Sequence, residues 1–154
     1  MTRPPDSAVR QGEPVILVVE DAHADALLIL RALKRAGVEY DVRLIDDGER
    51  ARDYLLGKPP HNNRSRYPMP SLVLLDLKLR KLGGLDILRQ LQQAGTVNAV
   101  PIIVLSSSSR DDDIEKAYRY GANSYLVKPA RFRDFCKLAE QIQSYWLSTN
   151  QSAR

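Results

Sequence analysis

Val15–Asp21 reads VILVVED, five apolar residues running directly into two acids. No polar residue alternates into the run, so it reads as a strand buried on both faces, of the kind found inside a parallel sheet. In an open parallel sheet the carboxyl ends of the strands line one crevice, and ligands bind there. Glu20 and Asp21 therefore stand at that crevice.

Outward from this strand, helical and extended patterns alternate. Residues 24–36 are rich in strong helix formers, with Ala26, Leu30 and Leu33 at helical spacing and Gly37 at a left-handed cap. Residues 41–45 alternate polar and apolar side chains, as an exposed edge strand does. Asp47-Gly48 turns the chain into a second helix reaching about Leu56, with Ala51, Tyr54 and Leu55 inward. Residues 58–70, KPPHNNRSRYPMP, hold four prolines and no periodicity, which predicts a long surface loop. Within it His61 has no evident partner, and neither it nor His23 has zinc-site spacing.

Leu72–Leu75 is a third strand, closed by Asp76. A third helix begins near Gly84 and turns Leu85, Leu88 and Leu91 inward before Gly95. Ile102–Leu105 is a fourth strand, ending in Ser106 and three further serines. Asp111–Asp113 open a fourth helix, where acids meet the positive end of the helix dipole, and Ser109 and Asp112 have the spacing of a capping box. Gly121 ends that helix, Ser124–Val127 is the fifth strand, and Lys128-Pro129 follows. The last helix, about Arg131 to Leu147, buries Phe132, Phe135, Ala139, Ile142 and Trp146 on a three-four repeat.

Five strand–helix alternations predict an α/β fold: a five-stranded parallel sheet between two helical layers, in the flavodoxin-like order 2-1-3-4-5. One domain is expected over residues 14–148, after a disordered lead-in at 1–13 and before a short tail at 149–154. The 44% hydrophobic and 27% charged composition is that of an ordinary globular protein. Cys136, the one cysteine, excludes an internal disulfide and reads as a small buried hydrophobe. The net charge of +4 comes from scattered cations and not from a stripe interleaved with aromatics, so no nucleic acid is expected. No secretory core or membrane-length apolar run is present, which points to a cytoplasmic protein.

The strand tips thus carry three carboxylates (Glu20, Asp21, Asp76), a hydroxyl (Ser106) and an ammonium (Lys128) to one place. Oxygen ligands of this number suit Mg²⁺, and a point cation suits a phosphoryl oxygen. Taken singly each residue has a bland reading, as a helix cap, a turn-capping aspartate or a solvated lysine. Together they point to chemistry.

VILVVED, LVLLDLKL, VPIIVLSSSS and NSYLVKP, in this order and spacing, resemble the receiver domain of two-component response regulators. The resemblance implies that Asp76 accepts a phosphoryl group from a kinase phosphohistidine. It implies Mg²⁺ held directly by Asp21 and Asp76, through water by Glu20, and by the backbone carbonyl of Lys78. Lys128 would meet a phosphoryl oxygen, Lys128–Pro129 would be cis, and Ser106 with Tyr125 would form the switch. The kinase would dock near the first helix and the loop at 129–131. The ending YLVKPARFRDFCKLAEQIQSYWL and the proline-rich loop are similar to stand-alone receivers that serve bacterial phytochrome-type histidine kinases. Such a protein signals and does not act on an external metabolite.

Lys78 and Arg80 stand where that family often has a neutral residue and a proline, which leaves the lifetime of the phosphoryl group open and predicts a more mobile loop at 76–83. Tyr118, Phe132, Tyr145 and Trp146 are more aromatic surface than one helix face hides, so a homodimer through the late helices is an expectation. Three rival readings compete with this one. A flavodoxin-type carrier is disfavoured because the anionic EDAHAD would repel a flavin phosphate. A haloacid-dehalogenase-like phosphatase needs Asp-x-Asp, and Lys78 occupies the second position. A phosphorylation-independent binding scaffold ranks lower because no part of the phosphorylation set is missing.

Overall fold

The computed structural model describes residues 14–150, so the lead-in expected at 1–13 and the end of the tail lie outside the described residues. Five strands, β1 (Val15–Val19), β2 (Asp41–Ile45), β3 (Leu72–Leu75), β4 (Ile102–Ser106) and β5 (Ser124–Val127), form one sheet in the order 2-1-3-4-5. Every pairing is parallel. Between and after them come α1 (His23–Arg35), α2 (Gly48–Leu56), α3 (Gly84–Gln93), α4 (Asp111–Arg119) and α5 (Phe132–Gln141).

The sheet divides the core by strand periodicity, since successive side chains point to opposite faces. Leu17, Val19, Val73, Leu75, Ile102 and Val104 face α2, α3 and α4. Ile16, Val18, Leu72, Leu74, Ile103 and Leu105 face α1 and α5. Each of these side chains is withdrawn from water, worth about 1.5–3 kcal/mol apiece before the entropy of ordering is counted. This is why β1, β3 and β4 show no alternation in sequence. The edge strand β2 does alternate and is half-buried over Asp41–Leu44.

On α1 the buried residues are Ala26, Ile29, Ala32 and Leu33, so Ile29 takes the inward place expected for Leu30. Both fit helical spacing, three or four residues after Ala26, and the tilt of the helix against the sheet decides between them. Asp47 caps α2 by accepting hydrogen bonds from the backbone of Glu49 (2.8 Å) and Arg50 (3.1 Å). Ahead of α4 the capping box does not form. Ser108 takes its place, donating to Asp113 Oδ2 (2.5 Å) and accepting from Arg110 N (3.3 Å). After Gln141 the last helix widens into a π-type turn over Ile142–Thr149, where Ser148 and Thr149 hydroxyls bond carbonyls five residues back. Trp146 still packs against the core, and Tyr145 stays exposed.

The proline-rich loop is tied down. Arg64 donates to the carbonyls of Tyr54 (2.8 Å), Leu55 (3.0 Å) and Tyr67 (3.1 Å), placing a cation on the negative end of α2. His61 is buried between Tyr54 and Tyr67, with ring centroids 5.4 and 4.9 Å away, so the loop histidine expected to lack a partner is an aromatic anchor. Burial holds its imidazole below the usual histidine pKa.

Candidate functional site at the carboxyl edge of the sheet

The sheet ladder runs one residue past several strands and thereby fixes the site residues. Glu20 N donates to Ile45 O (3.0 Å), Asp76 N to Val19 O (3.0 Å) and Lys128 N to Ser106 O (2.8 Å). Glu20, Asp76 and Ser106 are buried, at 1%, 6% and 0% exposure. Glu20, Asp21 and Asp76 each present an oxygen within 4.8 Å of the others. Lys128 Nζ lies 2.8 Å from Glu20 Oε2, 2.9 Å from Asp25 Oδ2 and 3.1 Å from Asp76 Oδ2.

Burial pushes the Glu20 carboxyl up to about 7, with the charge of Asp76 adding to the rise and Lys128 opposing it. Burial alone would lower the Lys128 ammonium; its hydrogen bond to Asp25 and the negative carboxylates of Glu20 and Asp76 beside it outweigh that and hold it above the usual lysine range. Lys128 lies beside Glu20 Oε2 as an ion-pair partner but off the line of a good hydrogen bond, so this buried oxygen keeps unused acceptor capacity. Hard oxygens in a crowded anionic cluster, one of them under-satisfied, fit a divalent cation.

The loop after β3 is anchored despite lacking the proline. Arg80 N donates to Asp21 Oδ2 (2.8 Å), Gly48 N to Arg80 O (3.3 Å), and Gly84 N to Leu77 O (2.9 Å). Lys81, in a left-handed conformation at φ 68°, pairs with Asp47 at 2.9 Å. Gly84 allows the start of α3 to close on the loop, since a Cβ there would sit 2.3 Å from the Asp76 carbonyl oxygen. These contacts tie the loop to the residue after β1 and to the start of α2. The Lys78 side chain is exposed.

Ser106 Oγ accepts from Ser108 N (3.2 Å), and Tyr125 donates its hydroxyl to Ser108 O (2.7 Å). The two residues expected to form a switch therefore both touch the β4–α4 loop at Ser108. The only cis X–Pro bond among the described residues is Pro59–Pro60, so the cis Lys128–Pro129 expectation is corrected to trans. Trans is the ordinarily favoured isomer, and with it Lys128 reaches all three carboxylates. Asp25 was missed in sequence. It lies in the first turn of α1, an ordinary place for an acid at a helix start, so its type and position carried no separate signal.

The family model of the response regulator receiver domain matches residues 16–140, most of the chain. The chain belongs to the response regulator receiver family. A probable methanogenesis regulatory protein, FilR2 of Methanothrix harundinacea, is 41% identical over 138 residues, covering 90% of this chain and 86% of that protein. Response regulator Rcp1 of Synechocystis sp. is 34% identical over 135 residues, covering 88% of this chain and 90% of that one. A Mn(2+)-bound crystal structure of response regulator Rcp1 superposes with a TM-score of 0.81 at 33% identity, over 92% of this chain and 99% of that one. The phosphorylated cyanobacterial phytochrome response regulator RcpA superposes with a TM-score of 0.83 at 34% identity, over 93% of this chain and 100% of that one. This receiver thus belongs to the signalling machinery of two-component systems, whose receiver domains partner with histidine kinases. Its acidic cluster suits a divalent metal. No helix among the described residues is long and apolar enough to cross a membrane.

Proposed function

We propose that this receiver takes a phosphoryl group from a histidine kinase onto Asp76 and signals through the resulting change of surface. The observation that carries the reading is the Asp76 carboxylate, buried among Glu20 and Asp21 with Lys128 Nζ 3.1 Å away. An Asp76 oxygen attacks phosphorus in line with the donor imidazole. The O–P bond forms as the P–N bond breaks, and the imidazole nitrogen leaves with the electron pair and takes a proton. Such transfers need placement and charge neutralisation more than nucleophilic strength. Mg²⁺ is the cation we assign, held by Asp21, Asp76 and the carbonyl of Lys78, with Glu20 through water; when bound it offsets charge on the carboxylates and the phosphoryl oxygens.

Lys128 holds one phosphoryl oxygen and Ser106 donates to another. Ser106 donates through its own O–H while its Oγ already accepts from Ser108 N, so drawing Ser106 toward the phosphoryl group pulls on the same loop that Tyr125 grips at Ser108 O. Tyr125 then turns inward and the α4–β5 surface changes, a local charge event read at a distance. We take the receiver to span residues 14–148, to act in the cytoplasm without nucleic acid or membrane as a partner, and to turn over nothing but its own phosphoryl group. The exposed Tyr118 and Tyr145 support a homodimer through the late helices. Likeness to RcpA supports a phytochrome-type kinase as the input, whereas FilR2 is a relative with a different stated role.

The test is phosphotransfer from a radiolabelled histidine kinase, comparing wild type with Asp76→Asn. Transfer to wild type alone supports the reading. Equal transfer to both, or none from any kinase tried while partner binding persists, replaces it with a phosphorylation-independent scaffold.

A further inference from the structure

We propose that Asp25 is a positioning residue for Lys128, fixing where its ammonium meets the phosphoryl group; this rests on the phosphoacceptor reading of Asp76. An ammonium has three protons and no acceptor. Around Lys128 Nζ stand three carboxylate oxygens, those of Glu20 (2.8 Å), Asp25 (2.9 Å) and Asp76 (3.1 Å). Glu20 Oε2 is an ion-pair partner off good hydrogen-bond alignment. Asp76 is the group that changes during transfer. Asp25 is the one well-aligned partner that the reaction leaves untouched.

Its place in the fold matters as much as its distance. Glu20, Asp76 and Lys128 all follow directly on strands, whereas Asp25 comes from the first turn of α1. It is therefore the one partner of Nζ that a helix and not a strand end supplies. The Asp25 side chain is 37% exposed and that of Lys128 8%, so the carboxylate closes the crevice over the ammonium from the solvent side. When an Asp76 oxygen bonds to phosphorus, Lys128 turns the proton given to Asp76 toward a phosphoryl oxygen. Its proton on Asp25 stays where it is, with Glu20 alongside as an ion-pair partner, and the four-carbon stem is kept from swinging. Without Asp25 the lysine regains rotamer freedom, and a displacement on the order of 1 Å at a reacting group can cost up to about 100-fold in rate.

The experiment uses the full chain with Asp25→Ala and Asp25→Asn. Labelling by phosphoramidate is followed at saturating Mg²⁺; the P–N bond breaks as the Asp76 O–P bond forms, and the nitrogen leaves as ammonia. Asp25→Ala is expected to slow labelling by roughly tenfold, while Asp25→Asn, which keeps an acceptor oxygen, stays within about threefold of wild type. In metal-free protein, ¹⁵N NMR of the Lys128 ammonium is expected to show slowed solvent exchange in wild type and Asp25→Asn, lost in Asp25→Ala. If the alanine protein melts early, Asp25→Ser, whose side chain is too short to reach Nζ, makes the same comparison. Equal rates in wild type and Asp25→Ala, or an asparagine variant as slow as alanine, overturn the role of Asp25. A wild type that takes no label at all overturns the phosphoacceptor reading instead.

Discussion

Glu20 is the residue whose environment departs most from its ordinary chemistry. Its folded pKa of about 7 lies above the 4.5 of an unperturbed glutamate, so the folded state binds the proton more tightly. The stability cost of charging Glu20 is therefore complete above about pH 7 and is relieved as pH falls from 7 toward 4.5. Metal-free protein is expected to melt higher at pH 6 than at pH 8, and Glu20→Gln to flatten that difference. Divalent-cation affinity runs the opposite way, since the ligands must be deprotonated; calorimetric Mg²⁺ titrations are expected to show tighter binding as pH rises through 7. Lys128→Met leaves Glu20 and Asp76 buried beside one another with no cation, and removing one partner of a buried pair costs about 3–5 kcal/mol. A lower melting temperature, partly restored by Mg²⁺, is the expected result.

Among the elements, one tight fit shapes the site's frame, and one set of charged hydrogen bonds holds the proline-rich loop, away from the site. Gly84→Ala would drive a Cβ to 2.3 Å from the Asp76 carbonyl oxygen, and overpacking of this kind costs about 1–3 kcal/mol. Denaturant melts are expected to show that loss, together with weaker Mg²⁺ binding because α3 is pushed off the loop that follows Asp76. Arg64→Ala removes three bonds to carbonyls at the end of α2 and in the loop, where hydrogen bonds to a charged group are worth about 1.5–3 kcal/mol each. Faster hydrogen exchange over residues 58–70 is expected, with Mg²⁺ affinity unchanged.

The same scale shows what sequence could and could not tell. β1, β3 and β4 were legible because both their faces are buried, and a run such as VILVV admits few other readings. The acids and the lysine at the strand ends followed from topology. Asp25 was not legible as a partner of Lys128, because the two lie 103 residues apart and only the folded chain brings the first turn of α1 to the residue that follows β5. His61 read as having no partner because its burial depends on Tyr54 and Tyr67, which reach it from another element and from across the loop. The widened end of the last helix depends on hydroxyl-to-carbonyl bonds from Ser148 and Thr149, which leave no mark on the hydrophobic repeat.

For the whole molecule, a crowded anionic crevice suited to a divalent cation predicts that the cation stabilises the fold. Binding to the folded state alone stabilises by about 2.7 kcal/mol at a ligand concentration 100 times Kd, so Mg²⁺ is expected to raise the melting temperature of wild type and much less that of Asp21→Ala. The proposed homodimer belongs to this scale as well: sedimentation at high concentration is expected to give a dimer that Tyr145→Ala weakens. The central claim is that one buried aspartate, set by five parallel strands among carboxylates and an ammonium, receives a phosphoryl group. Its most direct measurement is intact-mass labelling by a small phosphodonor with and without Mg²⁺, followed by peptide mapping. The account predicts one acid-labile phosphoryl group on Asp76, present only with the metal and absent from Asp76→Asn; undiminished labelling of that variant, or label mapped elsewhere, would contradict it.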